Sequence, residues 1–146
     1  MPQQVSKIFV IVLQYNNSHD VIGCLESILK INYPNIKSAV VDNASDIKHV
    51  NSTRLFIENL GSKGNFIFID NKSNLGYSGG NNIGIKHALE KGADYVLILN
   101  PDARVTSDLI GKMLETAKLN PHTGIIGTNT DEGLRIVNVG KVMWLK

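Results

Sequence analysis

Tyr95-Val96-Leu97-Ile98-Leu99-Asn100-Pro101-Asp102 is an unbroken apolar run that stops abruptly in a polar, turn-forming triplet. The run has strand length, and its lack of polar alternation is what a strand covered on both faces requires. The same construction recurs upstream. Residues 8–13 lead into Gln14-Tyr15-Asn16-Asn17, and residues 38–41 lead into Asp42-Asn43-Ala44-Ser45. Residues 66–69 lead into a polar, glycine-rich segment from Asn71 to Asn82. Ile125-Ile126 is a shorter, weaker strand candidate.

Amphipathic segments lie between these runs. Val21, Ile22, Cys24, Leu25, Ile28 and Leu29 form a helical stripe, with Ser18 or Asp20 as its cap. Residues 47–60 read as a second helix between Asp46 as cap and Gly61 as stop. Residues 81–91 read as a third, closed by Gly92, and residues 108–119 as a fourth, ended before Pro121. Strand and helix therefore alternate four times. That order predicts an α/β fold: a doubly wound, mostly parallel, Rossmann-like sheet with helices on both faces. Such sheets bind ligands outside the carboxyl ends of their strands, where the polar segments of this chain fall.

The chain has 146 residues and reads as one domain, residues 1–146. Its formal net charge of +2 and the absence of any Lys/Arg run argue against nucleic acid as a partner. The lone Cys24 has no internal disulfide partner and falls on a helix's apolar stripe, so it reads as core. His19, His49, His87 and His122 share no ligand spacing. No secretion signal and no apolar run long enough to span a bilayer is visible, and the expected location is cytoplasmic. Residues 134–145 suggest a strand or hairpin. The apolar end Val142-Met143-Trp144-Leu145 reads as a fold cut short at its C-terminus and as a source of self-association.

Chemically, the strand ends suit a nucleoside diphosphate. Tyr15 offers an aromatic face to a base, and Asp42 an acceptor for a base N–H or a ribose hydroxyl. Gly76, Gly79 and Gly80 let backbone approach a ligand. The start of the third helix offers N–H groups and partial positive charge to phosphate. Asp102 is a hard oxygen donor for Mg2+ or Mn2+, with Asn100 as a second candidate.

Tyr15-Asn16, the stretch from Val40 to Ser45, Asn74-Leu75-Gly76 through Asn82-Ile83-Gly84, and Leu99-Asn100-Pro101-Asp102 resemble successive motifs of family 2 glycosyltransferases with the GT-A fold. They look most like those of bacterial rhamnosyltransferase-type members, and the resemblance covers residues 8 to about 127. It implies that Tyr15 contacts the nucleoside, Asp42 the pyrimidine base, Asn43 the nucleotide, and Asn74, Gly76, Gly79, Gly80 and Asn82 the ribose and diphosphate. Asp102 matches the last acid of the metal-binding Asp-x-Asp motif. The implied activity is inverting, metal-assisted transfer of a sugar from a nucleotide diphosphate-sugar, dTDP-rhamnose or a UDP-sugar, to a glycan or lipid-linked acceptor. For the full enzyme, peripheral membrane association fits that role.

Three residues depart from the family pattern. Asn100 replaces the first acid of Asp-x-Asp, Asn81 replaces a common Arg, and Gln14 replaces a small Thr. The family's catalytic base lies downstream of the metal motif, beside the acceptor. Asp131 and Glu132 come too early and fall in a turn-like stretch, residues 130–133, so the base is expected to be absent with the acceptor-binding half. A chain lacking that half is not expected to transfer sugar alone. A non-catalytic nucleotide-sugar-binding or interaction module is the alternative. A nicotinamide-binding enzyme is excluded, because no Gly-x-Gly-x-x-Gly follows the first strand.

Overall fold

The computed structural model describes residues 5–128 and, beyond them, the backbone of three short strands, 130–132, 135–137 and 144–145. The elements follow as β1 (Ile8–Gln14), α1 (Ser18–Ile28), β2 (Ile36–Asp42), α2 (Ile47–Leu60), β3 (Phe66–Asp70), α3 (Gly76–Glu90), β4 (Tyr95–Leu99) and α4 (Leu109–Leu119). Three strands complete the order: β5 (Thr130–Glu132), β6 (Arg135–Val137) and β7 (Trp144–Leu145).

The main sheet has the order β3-β2-β1-β4-β7, with the first four strands parallel and β7 antiparallel at the edge. All seven residues of the central β1 are buried, which explains the unbroken apolar run of its first six. Its two faces feed different layers. Ile8, Val10 and Val12 pack with Val21, Cys24 and Leu25 of α1, Phe56 and Ile57 of α2, and Ile110 and Met113 of α4. Phe9, Ile11 and Leu13 pack with Ile85 and Ala88 of α3. The first two crossovers step the sheet one way and the third steps back across β1. Right-handed connections therefore put α1 and α2 on one face and α3 on the other. The doubly wound, mostly parallel architecture is the expected one.

Local boundaries differ in places. α1 begins at Ser18 rather than residue 21, with Asn17 rather than Ser18 or Asp20 as its N-cap. α3 begins at Gly76, five residues before the expected start, so the glycine-rich segment is the helix's first turn and not a loop before it. Ile125-Ile126 forms no strand. Residues 130–132, read as turn-like, instead form a strand paired antiparallel to residues 135–137, so the hairpin expected within 134–145 lies earlier in the chain. Trp144 and Leu145, expected to face a missing partner, pair their backbone with Leu97 and Val96 of β4. Val142 and Met143 lie outside the described residues.

Candidate functional site

Register brings the polar segments together. Gln14 lies opposite Asp42, and Asp42 opposite Asp70. Val12 lies opposite Leu99, so Asn100-Pro101-Asp102 leaves the sheet beside the end of β1. Tyr15, Asp42, Gly76 and Asp102 thus share the carboxyl edge of the four parallel strands.

The first two loops are stapled to each other. The Asn16 N–H donates to Ser45 Oγ at 2.9 Å, and the Asp46 N–H to Asn16 Oδ1 at 2.7 Å. Asn16 and Ala44 both adopt left-handed backbone, φ 55° and 64°. For a residue with a Cβ this costs roughly 1–3 kcal/mol, and such strain persists where surrounding bonds impose it. Tyr15 is 50% exposed, so its ring stands at the edge and not in the core. Asp42 is only 2% exposed. Its Oδ1 accepts the Gln14 side-chain amide at 2.8 Å and its Oδ2 accepts the Ser45 N–H at 2.9 Å.

Several residues read from the sequence as ligand contacts turn inward to build the third loop. Asn43, 2% exposed, donates through Nδ2 to Asn74 Oδ1 (2.7 Å) and the Gly76 carbonyl (3.1 Å). Its Oδ1 accepts from Asn71 Nδ2 (3.1 Å) and the Leu75 N–H (3.0 Å). Both donors and both lone pairs are in use, which makes Asn43 a scaffold for residues 71–76. Asn74 Oδ1 also accepts the Gly76 N–H at 2.8 Å. Gly76 has φ +70° with open space around it, so its glycine serves backbone conformation. Gly79 faces Leu75. At Gly80 a Cβ would collide with Leu13 Cδ1, so the close approach there is of helix to sheet and not of backbone to ligand. Asn82 is exposed on α3. The Leu75 and Gly76 N–H groups are taken by asparagine side chains. Tyr77 and Ser78 follow in the same turn as helix-end donors.

On the fourth loop Asp102 is exposed and Asn100 half-buried. The Tyr77 hydroxyl, missed in the sequence, donates to Asn100 Oδ1 at 3.0 Å. Burial pushes the Tyr77 phenol above its ordinary pKa and the Asp102 charge adds to this, while a hydrogen bond from Asn81 opposes. Arg104, read as a solvated charge, donates to the carbonyls of Ala103 (2.9 Å) and Pro101 (3.4 Å), and its guanidinium lies against Gly23 of α1. Its role is to fold the loop.

Among the described residues no cluster of three His, Cys, Asp or Glu side chains forms a metal cage. The candidate donors in this loop are the exposed Asp102 carboxylate and, two residues earlier, the Asn100 amide oxygen, which also accepts from Tyr77. Mg2+ or Mn2+ fits that set, because such ions take one or two protein oxygens and complete their shell with phosphate and water.

Cys24 lies under this loop, its Sγ 3.7 Å from the Asn100 carbonyl. Burial pushes its thiol up to about 12, with Arg104 lowering it and Asp102 raising it. At pH 8 the thiolate fraction is then on the order of 10⁻⁴, against about a quarter for a free thiol. Because a more basic thiolate is also a better nucleophile, native Cys24 should react with a disulfide reagent about 10²-fold more slowly than in the unfolded chain. Comparable rates would show that the 100–104 loop opens freely.

The family model described as "Glycosyl transferase family 2" matches residues 9–143. Poly-beta-1,6-N-acetyl-D-glucosamine synthase of Staphylococcus epidermidis is 30% identical over 127 residues, 87% of this chain and 29% of that protein. The Staphylococcus aureus enzyme of the same name is 29% identical over 79% of this chain and 26% of its own length. The chain thus spans less than a third of these curated relatives. The Pyrobaculum calidifontis mannosyltransferase PcManGT, solved with GDP-Man and Mn2+, superposes with a TM-score of 0.78 at 21% identity. That match covers 89% of this chain and 37% of the other. Staphylococcus aureus TarS, solved with UDP-GlcNAc, gives 0.68 at 22% identity over 88% and 37%. These two likenesses show the GT-A-type fold. The relatives are not rhamnosyltransferases by name.

Proposed function

The chain belongs to glycosyl transferase family 2, and from that premise we propose that it is the donor-binding part of an inverting transferase that uses a pyrimidine nucleoside diphosphate-sugar with a divalent cation. The observation that carries this reading is the convergence of Tyr15, Asp42, the α3 N-terminus and Asp102 on one edge. Tyr15 covers the base face. Asp42 accepts from the base edge. The Tyr77 and Ser78 N–H groups and the helix field meet phosphate. Asp102, with Asn100, would hold Mg2+ or Mn2+, and the bound ion would supply Lewis-acid stabilisation to the departing diphosphate. The acceptor oxygen bonds to the anomeric carbon as the carbon–phosphate-oxygen bond breaks on the opposite side, and a base takes the acceptor's proton. No described side chain is assigned as that base. Asp131 and Glu132 are described only as backbone of β5.

The N-acetylglucosamine named in the relatives' products, and UDP-GlcNAc on the TarS fold, support a uridine donor carrying an N-acetylhexosamine. The rhamnosyl-type look of Asn100-Pro101-Asp102 makes dTDP-rhamnose the second donor to assay. Calorimetric titration of UDP, dTDP and GDP, each with Mn2+ and with chelator, tests the reading. UDP and dTDP should bind more tightly than GDP, and chelator should weaken both. Equal affinity with and without chelator would remove the metal from the proposal, and preference for GDP would remove the pyrimidine.

A further inference from the structure

The departure at residue 14 has a structural counterpart. Gln14 is fully buried, and its side chain joins three elements. Its Nε2 donates to Asp42 Oδ1 across the β1–β2 pair, and its Oε1 accepts from Thr53 Oγ1 of α2 at 2.5 Å. Thr53 is fully buried as well. The amide's orientation is fixed by chemistry. A carboxylate accepting from Ser45 N–H on its other oxygen needs a donor, so nitrogen faces Asp42. The oxygen then faces Thr53, whose hydroxyl can donate. Every polar atom of this buried chain has a partner, the condition under which a network fixes one geometry.

We propose that Gln14 is a positioning residue for nucleobase selectivity: held by Thr53, it fixes the Asp42 carboxylate as an acceptor toward the ligand. This rests on the reading that Asp42 meets the base. Each Asp42 oxygen receives one donor from within the protein, which leaves each a second lone pair for a ligand donor that reaches this strand end. A base whose edge presents an N–H at that point, as uracil and thymine do at N3, satisfies them. Cytosine presents a bare ring nitrogen there and sets lone pair against lone pair. An Asp42 side chain free to rotate would lose that distinction.

The test is the ratio of UDP to CDP affinity, measured by calorimetry beside a thermal melt. Gln14→Met keeps side-chain length and removes both polar atoms. It should reduce the ratio about tenfold, while the ratio of UDP to uridine affinity, which reports the diphosphate end, stays constant. Thr53→Val should reduce the UDP to CDP ratio by a smaller factor, and Thr53→Ser should restore it. Thr53→Val and Thr53→Ser provide the same reading if Gln14→Met fails to fold. Asp42→Asn separates the two levels. If Asp42→Asn changes the ratio and the Gln14 and Thr53 variants do not, the positioning role is overturned. If Asp42→Asn leaves it unchanged too, the base assignment of Asp42 falls and takes the proposal with it.

Discussion

Gly84→Val should lower the thermal midpoint by about 10 °C or more. α3 lies against the β1 and β2 face of the sheet through Gly80 and Gly84, one turn apart. A Cβ at Gly84 would lie 2.5 Å from Ile11 Cγ2, 3.0 Å from Val41 Cγ2 and 3.1 Å from Ile11 Cδ1. Ile11 and Val41 are fully buried β-branched residues in the middle of the sheet, with little freedom to turn aside. Overpacking of this kind costs about 1–3 kcal/mol for small additions. Replacing an in-helix glycine returns about 1 kcal/mol with alanine and less with valine. Gly84→Ala should therefore lose modestly, and Gly84→Val, with two further methyls in the same gap, should lose more than about 3 kcal/mol. At about 2–4 °C per kcal/mol or slightly more for a chain of this size, the melt shifts visibly. Gly111 provides the control. It lies in α4 with nothing within 4 Å of where a methyl group would stand, so Gly111→Ala should be neutral or stabilising. A Gly84→Val protein melting with the wild type would show that α3 does not pack where its glycines place it.

The same glycines explain where sequence reading stopped short. The four parallel strands were legible because burial on both faces leaves unbroken apolar runs, and β4 matches its run at both ends. α2 was legible from its stripe and its Gly61 stop. The first turn of α3 was not, because Gly76-Tyr77-Ser78-Gly79-Gly80 has neither helix propensity nor apolar periodicity. Contact with β1 and β2 outweighs that propensity. The strand-end pattern located the edge, but not which residues on it face outward. The family resemblance places Asn43 and Asn74 at the ligand, one just after a strand and the other just before a helix. They lie 31 residues apart, and only the fold shows that the two bond to each other. Thr53 carries no signal in sequence at all, being one threonine within an ordinary helix.

Asp42 and Asp102 should separate cleanly when uridine and UDP are compared. Asp42 ends β2 and Asp102 follows β4, with β1 between them. Two strand spacings are roughly 10 Å, enough for the two carboxylates to act on different ends of one ligand. Asp102 is exposed, so Asp102→Ala removes a ligand contact with little effect on folding. Asp42 is different, because truncation to alanine would strand the Gln14 amide and the Ser45 N–H, at about 1–3 kcal/mol for each buried group. Asp42→Asn keeps one acceptor oxygen and is the better probe. A charge-assisted hydrogen bond contributes about 1.5–3 kcal/mol, or roughly one to two decades in affinity. Asp42→Asn should therefore weaken uridine and UDP by the same factor of that order. Asp102→Ala should leave uridine unchanged, weaken UDP by a similar factor with Mn2+ present, and make no further difference once chelator is added. At this separation the double variant should lose UDP affinity additively to within about 0.5 kcal/mol. Equal loss of uridine and UDP affinity in Asp102→Ala would place Asp102 at the base end or implicate the fold, and the metal assignment would have to move off the Asn100-Pro101-Asp102 loop.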